Sequence, residues 1–194
     1  MKQYIFGYGS LISAEVRNQT STSQDVIQAR VKGYRRFWSG FPLYGWAPLA
    51  VRTSTDATCN GALIGVSEEQ IEAFDSREVS YVRKLVEHDQ IELLEDANIG
   101  EASVWLYAPT EPLRPSMQSP ILQSYVDVAI TGCLDYSEDF AREFIQTTKN
   151  WDAPWRNDRA NPEYSRSLEV VERADEIDKL LTELLPEPFE NRFL

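Results

Sequence analysis

The chain has 194 residues, and its 31 acidic and 19 basic residues give it a net charge of −12. A surface this negative repels phosphate groups, so nucleic acid and anionic membranes are unfavourable partners. The sequence contains no run of about 18 apolar residues, the length that a membrane-spanning helix requires, and it opens without an apolar signal segment, so we expect a cytoplasmic protein.

The first half of the sequence predicts strands. An apolar run at residues 4–6, stopped by Gly7, is typical of a buried strand. β-Branched and aromatic residues between basic ones predict a second strand over residues 26–38, with a bulge at Gly33. Pro, Gly and aromatic residues predict a loop at residues 41–48. Further strands are predicted at residues 49–53, 62–66, 81–94 and 102–107.

Helices are predicted by capping and by apolar spacing. Ser67 and Gln70 match a capping box, and Ile71 and Phe74 would form the buried face of the short helix that follows. Beyond residue 108 the apolar spacing becomes helical. Helices are predicted there at residues 121–133, 140–145 and 168–184, the last of them ended by Pro186.

Histidine and cysteine are too scarce for several common catalytic sites. The sequence has one histidine, His88, and two cysteines, Cys59 and Cys133, without CxxC spacing. This composition disfavours a Ser-His-Asp triad, a Cys-His pair, a zinc site and a disulfide framework. We therefore predict no metal site. The polar neighbours of His88 predict an exposed side chain rather than a catalytic one.

Two features could bind an anionic ligand. Residues 7–11, Gly-Tyr-Gly-Ser-Leu, follow the first predicted strand, and glycine lets successive backbone N–H groups approach a carboxylate or phosphate closely. A plain tight turn explains the same spacing, since short glycine motifs are weak signals. Lys32, Arg35 and Arg36 form a basic cluster that could also face an anionic small molecule.

Glu78 is the candidate acid–base residue. It follows a short amphipathic helix and precedes a strand, and the ends of such elements commonly carry catalytic groups. A glutamate held between apolar walls has a raised pKa and can transfer protons near neutral pH. The alternative is a surface ion pair with Arg77 or Arg83, which is the commoner situation in a chain with 31 acidic residues.

Five segments, taken in order, resemble the gamma-glutamylcyclotransferase family, most closely its ChaC-like, glutathione-acting branch. Residues 6–11 are similar to the family's N-terminal substrate loop, and residues 74–78, with Tyr81 three residues on, resemble the segment that carries its catalytic glutamate. The other similar segments are residues 31–38, 60–64 and 123–126. The resemblance extends over residues 4–133.

The resemblance implies an α+β fold. Residues 1–134 would form a small β-barrel of about six strands flanked by helices, and residues 135–194 would form a helical C-terminal extension packed on the same domain. It also implies a reaction without metal or cofactor. The α-amine of a small gamma-glutamyl substrate would attack its own γ-carbonyl and release 5-oxoproline with an amine or a dipeptide.

The resemblance assigns roles to six residues, of which Glu78 would be the catalytic residue that carries the proton. The backbone at residues 9–11 would bind the substrate's α-carboxylate, and two tyrosines would line the site or donate a hydrogen bond. The substrate-binding residues are Tyr8, Gly9, Ser10, Leu11 and Tyr125.

Two departures from the family pattern leave the leaving group open. Val79 and Ser80 stand where the ChaC-like branch usually has two glycines, and residues 41–48 replace an expected Arg-Gly loop. Glutathione, another gamma-glutamyl dipeptide and a gamma-glutamylamine all present the same glutamyl half.

The alternative function is a non-catalytic binding module on the same fold. Trp151 and Trp155 stand among arginines, a composition that is favoured in protein interfaces. The same tryptophans could instead pack back onto the fold, as large aromatic side chains usually do, or the segment could form a lid over the site.

Overall fold

Six strands form one mixed sheet with helices around it, which confirms the predicted α+β fold. The computed structural model describes residues 2–19, 25–78 and 80–194, apart from the side chain of Arg77. The strands of this sheet are β1 (Gln3–Gly7), β2 (Val26–Trp38), β3 (Leu49–Val66), β4 (Tyr81–Val86), β5 (Ile91–Leu93) and β6 (Ser103–Pro109). The helices are α1 (Ala14–Asn18), α2 (Glu68–Arg77), α3 (Gln123–Leu134), α4 (Glu138–Thr147), α5 (Ala174–Leu184) and α6 (Pro186–Glu190).

The first strand lies in the middle of the sheet, whose order is β4-β6-β1-β3-β2-β5. It is parallel to β6 and antiparallel to β3. Tyr4, Ile5 and Phe6 are at most 1% exposed, because a central strand is covered on both faces. Their burial explains the uninterrupted apolar run in the sequence. Since β1 ends at Gly7, the segment 7–11, here called the glycine turn, leaves from the middle of the sheet.

The described sheet is open, so the expectation of a closed barrel is wrong. The predicted strand at residues 81–94 is also wrong, because it divides into β4 and β5 at opposite edges. Glu87 and Gln90 form a capping box that breaks the strand, and His88 between them is exposed as predicted. Only residues 87–90 connect β4 to β5, and an extended chain spans only about 3.5 Å per residue. This link therefore holds the two edge strands near each other and curls the sheet.

The second and third strands form a long antiparallel pair. The predicted bulge at Gly33 is confirmed: its φ is +81°, and the pairing shifts there from Lys32 opposite Thr58 to Tyr34 opposite Thr53. Two short strands were expected in place of β3, and that prediction is wrong. The polar middle of β3 is largely exposed, and its backbone is held by β2, so it needs no apolar side chains to remain a strand.

Helix α2 begins at the predicted capping box. The Ser67 hydroxyl accepts a hydrogen bond from the Gln70 backbone N–H at 3.3 Å, and the Gln70 side chain accepts one from the Ser67 N–H at 2.8 Å. Ile71 and Phe74 are buried as expected. The helix ends at Glu78, whose N–H donates to the Phe74 carbonyl at 2.9 Å. The capped helix therefore fixes where Glu78 lies.

The remaining helices pack on the sheet. Helix α3 is buried along nearly its whole length, and Phe144 of α4 and Leu181 of α5 belong to the same core cluster as Trp38 of β2. Two details differ from the prediction. Helix α5 begins at Ala174 rather than near residue 168. Pro186 is the first residue of α6. Proline is favourable there because the backbone N–H that it lacks would have no partner in the first turn of a helix.

Both tryptophans of the C-terminal segment point into the core. Trp151 is 5% and Trp155 2% exposed, and their rings lie 5.2 Å apart. Trp155 belongs to β8 (Trp155–Arg156), which pairs with β7 (Ile121–Leu122) just before α3. The packing alternative for these residues is therefore confirmed. In the described part of the chain, none of the helices has the length and apolar character needed to cross a membrane.

Candidate active site

A cavity of about 490 Å³ opens where β1 ends. It brings together all six residues that the sequence predicted for the site, although they come from the N-terminus, from the end of α2 and from α3. Tyrosine is the commonest residue type among the described lining residues. The cavity is lined by Ile5, Phe6, Gly7, Tyr8, Gly9, Ser10, Leu11, Leu43, Tyr44, Trp46, Pro48, Leu49, Glu78, Tyr81, Tyr107, Tyr125, Tyr164, Ser165 and Arg166.

The glycine turn continues into a single 3-10 turn at Ser10–Ile12. The first N–H groups of such a turn have no acceptor within it, so they are available to a ligand or a neighbouring side chain. A Cβ atom on Gly9 would lie 2.8 Å from the Tyr125 hydroxyl oxygen and 3.4 Å from Leu49 Cβ. Glycine is thus required here by the close approach of Tyr125.

The Tyr125 hydroxyl lies against the glycine turn. Burial raises the pKa of Tyr125, while hydrogen bonds from the backbone and side chain of Ser10 act in the opposite direction. The Tyr125 hydroxyl is therefore neutral and lies against the turn.

Glu78 is half-buried at the cavity wall, where α2 ends. Arg83, one of the two partners considered for it, forms an ion pair with Asp75 at 3.1 Å. The other, Arg77, has a side chain that lies outside the described residues. Burial raises the pKa of Tyr8 well above its usual value, and the charges of Tyr81 and then Glu78 add to the rise. The glutamate thus acts electrostatically on the same cavity as the glycine turn.

Three tyrosines use their hydroxyl groups to build the walls. Tyr8 donates to the Tyr107 carbonyl at 2.5 Å, and the Tyr107 hydroxyl donates to Asp75 at 2.7 Å. Tyr81 donates to the Leu49 carbonyl at 3.3 Å. Burial raises the pKa of all three phenols, so they stay neutral. Tyr8 therefore lines the cavity with its ring, while its hydroxyl proton is used in the hydrogen bond to the Tyr107 carbonyl.

The outer part of the cavity comes from residues that the sequence did not predict. Tyr44 and Trp46 lie in the loop between β2 and β3, and Tyr164 and Arg166 lie between β8 and α5. The density of aromatic residues at 41–48 was a visible signal, but it predicted only a loop. Tyr164 and Arg166 carried no signal in the sequence, because their place depends on tertiary contacts.

Arg36 supports the glycine turn from behind. It is fully buried, and its guanidinium donates to the Tyr8 carbonyl at 3.2 Å and to the Asn60 carbonyl at 2.7 Å. It also donates to the C-terminal end of α4, at Phe144, Thr147 and Thr148. The expectation that this basic cluster faces an anionic molecule is therefore wrong for Arg36.

Neither cysteine is placed as a nucleophile. Cys59 and Cys133 are free thiols with no exposed area, and burial raises the pKa of Cys59 to about 11 and that of Cys133 further. In the ranges that the structure describes, no group of three His, Cys, Asp or Glu side chains converges as a metal site. The charged chemistry of the cavity rests on Glu78 and Arg166.

Comparison with known proteins identifies the architecture. The family model described as Gamma-glutamyl cyclotransferase, AIG2-like, matches residues 5–124. The narrower expectation, the ChaC-like branch, is not confirmed by this match. No curated protein matches the sequence.

Solved structures share the fold at low sequence identity. One named Gamma-glutamyl cyclotransferase matches 92% of this chain and 99% of its own, with a TM-score of 0.59 and 17% identity. An uncharacterized protein from Homo sapiens, loc79017, matches 72% of this chain and 86% of its own, with a TM-score of 0.54 and 17% identity. YkqA from Bacillus subtilis matches 76% of this chain and 56% of its own, with a TM-score of 0.53 and 17% identity.

Proposed function

The chain belongs to the AIG2-like gamma-glutamyl cyclotransferase family, and we propose that it releases 5-oxoproline from a small gamma-glutamyl compound. One observation carries this proposal. The fold places Glu78 and the glycine turn, which are far apart in sequence, on the walls of one cavity. A carboxylate and a turn of backbone N–H groups are the two groups that the reaction requires.

The reaction needs little from the protein because the substrate supplies the nucleophile. The α-amino nitrogen forms a bond to the γ-carbonyl carbon, and the bond from that carbon to the leaving nitrogen then breaks. The neutral α-amine loses one proton as it forms this bond, and the leaving nitrogen must gain one. A single carboxylate can take the first proton and return it to the leaving nitrogen, and we assign this role to Glu78.

The glycine turn would hold the other end of the glutamyl group. We propose that the backbone at residues 9–11 binds the α-carboxylate, with the neutral Tyr125 hydroxyl beside it. Fixing the carboxylate bends the flexible glutamyl chain so that its amine and γ-carbonyl meet, and such orientation supplies a large part of the rate enhancement of intramolecular reactions. The walls made by Tyr8 and Tyr81 would keep the chain curled.

Replacing Glu78 tests the assignment. Glu78→Gln keeps the size of the side chain but removes the basic oxygen, so kcat should fall by about 10²- to 10⁴-fold, the usual contribution of a general acid–base group. KM should change little, because the turn and the walls remain. The assay is direct detection of 5-oxoproline from a panel of gamma-glutamyl dipeptides, gamma-glutamylamines and glutathione.

The matched control is Glu72→Gln, which changes an exposed glutamate of the same helix and should leave kcat unchanged. A Glu78→Gln protein that keeps more than about a tenth of wild-type kcat would show that another residue moves the proton. A wild-type protein that binds gamma-glutamyl compounds but never releases 5-oxoproline would be the non-catalytic module. The burial of Trp151 and Trp155 removes the feature that favoured that alternative.

A further inference from the structure

Two groups of residues line the cavity, and we call them the inner and the outer half. The inner half holds Glu78 and the glycine turn, which suffice for the glutamyl group. The outer half is built by the two loops that carry Tyr44, Trp46, Tyr164 and Arg166. This half has no part in the proton transfer, so its composition bears on what is attached to the glutamyl group.

Four aromatic rings form a continuous aromatic wall that begins at the glycine turn. Tyr125, against Gly9, lies 4.5 Å from Tyr164 between ring centroids. Tyr164 meets Trp46 edge-on at 5.2 Å, and Trp46 stacks on Tyr44 at 5.2 Å with an interplanar angle of 23°. Such a surface favours a planar or large apolar group over a small or strongly hydrated one.

Buried polar contacts hold the backbone on either side of Tyr164. The Tyr164 backbone N–H donates to the Ser124 hydroxyl at 3.3 Å, and the carboxylate of Asp158 accepts from the backbone N–H groups of Ser124 and Glu163, each at 2.8 Å. Asp158 is 6% and Tyr164 3% exposed. The segment that closes the outer half is therefore fixed before any ligand binds, which lowers the entropy cost of binding.

Arg166 differs from the other arginines of its region. Arg156, Arg159 and Arg173 all form ion pairs with carboxylates at 2.6–2.7 Å. For Arg166, no carboxylate of the described residues lies within ion-pair distance, although the chain carries a net charge of −12. The side chain is half-buried at the cavity. Burial and the charge of Glu78 raise the pKa of Tyr44, and the charge of Arg166 acts in the opposite direction. A cation placed this way is suited to an anionic group of the ligand.

We propose that the outer half is a leaving-group subsite for an aromatic or large apolar amino acid, whose ring packs on the aromatic wall and whose free carboxylate pairs with Arg166. The inference rests on the proposed function and narrows its substrate class to gamma-glutamyl α-amino acids or peptides of this kind. A gamma-glutamylamine lacks the carboxylate, and a small amino acid lacks the ring.

Three substrates separate these contributions. Gamma-glutamyl-phenylalanine has both the ring and the carboxylate, gamma-glutamyl-phenethylamide has only the ring, and gamma-glutamyl-alanine has only the carboxylate. For the wild-type protein, kcat/KM for the phenylalanine compound should exceed that for each of the other two by about tenfold or more, the range expected for a hydrogen-bonded ion pair or a buried ring.

Arg166→Gln should raise KM for gamma-glutamyl-phenylalanine about tenfold and leave the phenethylamide unchanged. Arg166→Lys should keep part of the effect, since it keeps the charge. Arg114→Gln changes an exposed arginine that pairs with Asp152 outside the described cavity lining, and it should alter none of the three. Unchanged thermal unfolding midpoints establish that each variant is folded.

The outcomes distinguish this inference from the proposed function. If all three compounds release 5-oxoproline equally well, or if Arg166→Gln affects the amide and the acid alike, the subsite is wrong and the cyclotransferase stands. If none releases 5-oxoproline, the proposed function is wrong. In that case calorimetry with gamma-glutamyl-phenylalanine still tests the subsite. If Arg166→Gln does not weaken binding of this compound, the subsite proposal is wrong.

Discussion

Arg36→Met should destabilise the protein and loosen the glycine turn. The Arg36 side chain is fully buried, and its six hydrogen bonds go to neutral oxygen atoms of β3, of α4 with Thr148 at its end, and of Tyr8. Burial lowers the pKa of the guanidinium, but arginine stays charged at any pH at which the protein is folded. Methionine fills similar space without any donor.

The size of the effect follows from the oxygens that would lose their donor. The hydroxyls of Thr147 and Thr148 keep bonds to helix carbonyls, so the main losses fall on the Tyr8 carbonyl and on the two oxygens of Asn60. Each buried oxygen left unpaired costs about 1–3 kcal/mol. Methionine also removes the cost of burying a charge, which is several kcal/mol and offsets part of this destabilisation. We therefore expect the free energy of unfolding to fall by about 3 kcal/mol.

Urea denaturation measures this loss as a change in the free energy of unfolding, and a loss of about 3 kcal/mol corresponds to a fall of roughly 6–12 °C in the unfolding midpoint for a chain of this size. KM for the gamma-glutamyl substrate should rise in the folded fraction, because the Tyr8 carbonyl is no longer held. Arg36→Lys should lose nearly as much stability, since a single ammonium group cannot reach all the oxygen atoms that the guanidinium contacts.

Arg35→Met is the matched control for this measurement. Arg35 is the neighbouring residue and pairs with the exposed Asp56, so its loss should cost about 0–1 kcal/mol. If Arg36→Met is as stable as Arg35→Met, or if Arg36→Lys retains full stability, the turn is not held by the guanidinium geometry and the reasoning is wrong.

Two further predictions concern the glycine turn and the chemistry. Gly9→Ala should raise KM, because its Cβ would lie 2.8 Å from the Tyr125 hydroxyl; in a Tyr125→Phe background the same change should cost clearly less, and strictly additive effects in this double-mutant cycle would contradict the contact. Activity should also survive extensive dialysis against a chelator, since the substrate supplies the nucleophile and a carboxylate moves the proton. A loss of activity that added zinc or manganese restores would refute the metal-free mechanism.

Local signals predicted the elements that local contacts build. The capping box at Ser67 and Gln70 is a hydrogen-bond pattern within four residues, so the sequence located the start of α2, and with it Glu78. Strand β2 and its bulge at Gly33 were visible because a strand pairing needs alternation and glycine permits the positive φ. The glycine turn and Glu78 were candidates on local patterns, and the resemblance to the family gave them their predicted roles.

Tertiary contacts decided what the sequence could not predict. The polar residues in the middle of β3 read as a break between two strands, yet pairing with β2 carries the strand through them. Arg36 looked like a surface cation, because its acceptors at Asn60 and Phe144 are distant in the sequence. Tyr164 is held at the cavity by Ser124 and by the rings of Trp46 and Tyr125, which are distant in the sequence, and nothing near Tyr164 or Arg166 in the chain indicates a site.

The central position of β1 affects the order in which the protein can be assembled during translation. This strand leaves the ribosome before its partners, which are residues 62–66 of β3 and 103–105 of β6. Until those have been synthesised, the apolar segment around Ile5 has no sheet to join and is a target for chaperones or for aggregation. The glycine turn gains its fixed position only after most of the chain exists, and contacts of such long sequence separation make folding slow. A nascent chain truncated before residue 103 should therefore expose β1 to proteases, whereas the full chain protects it.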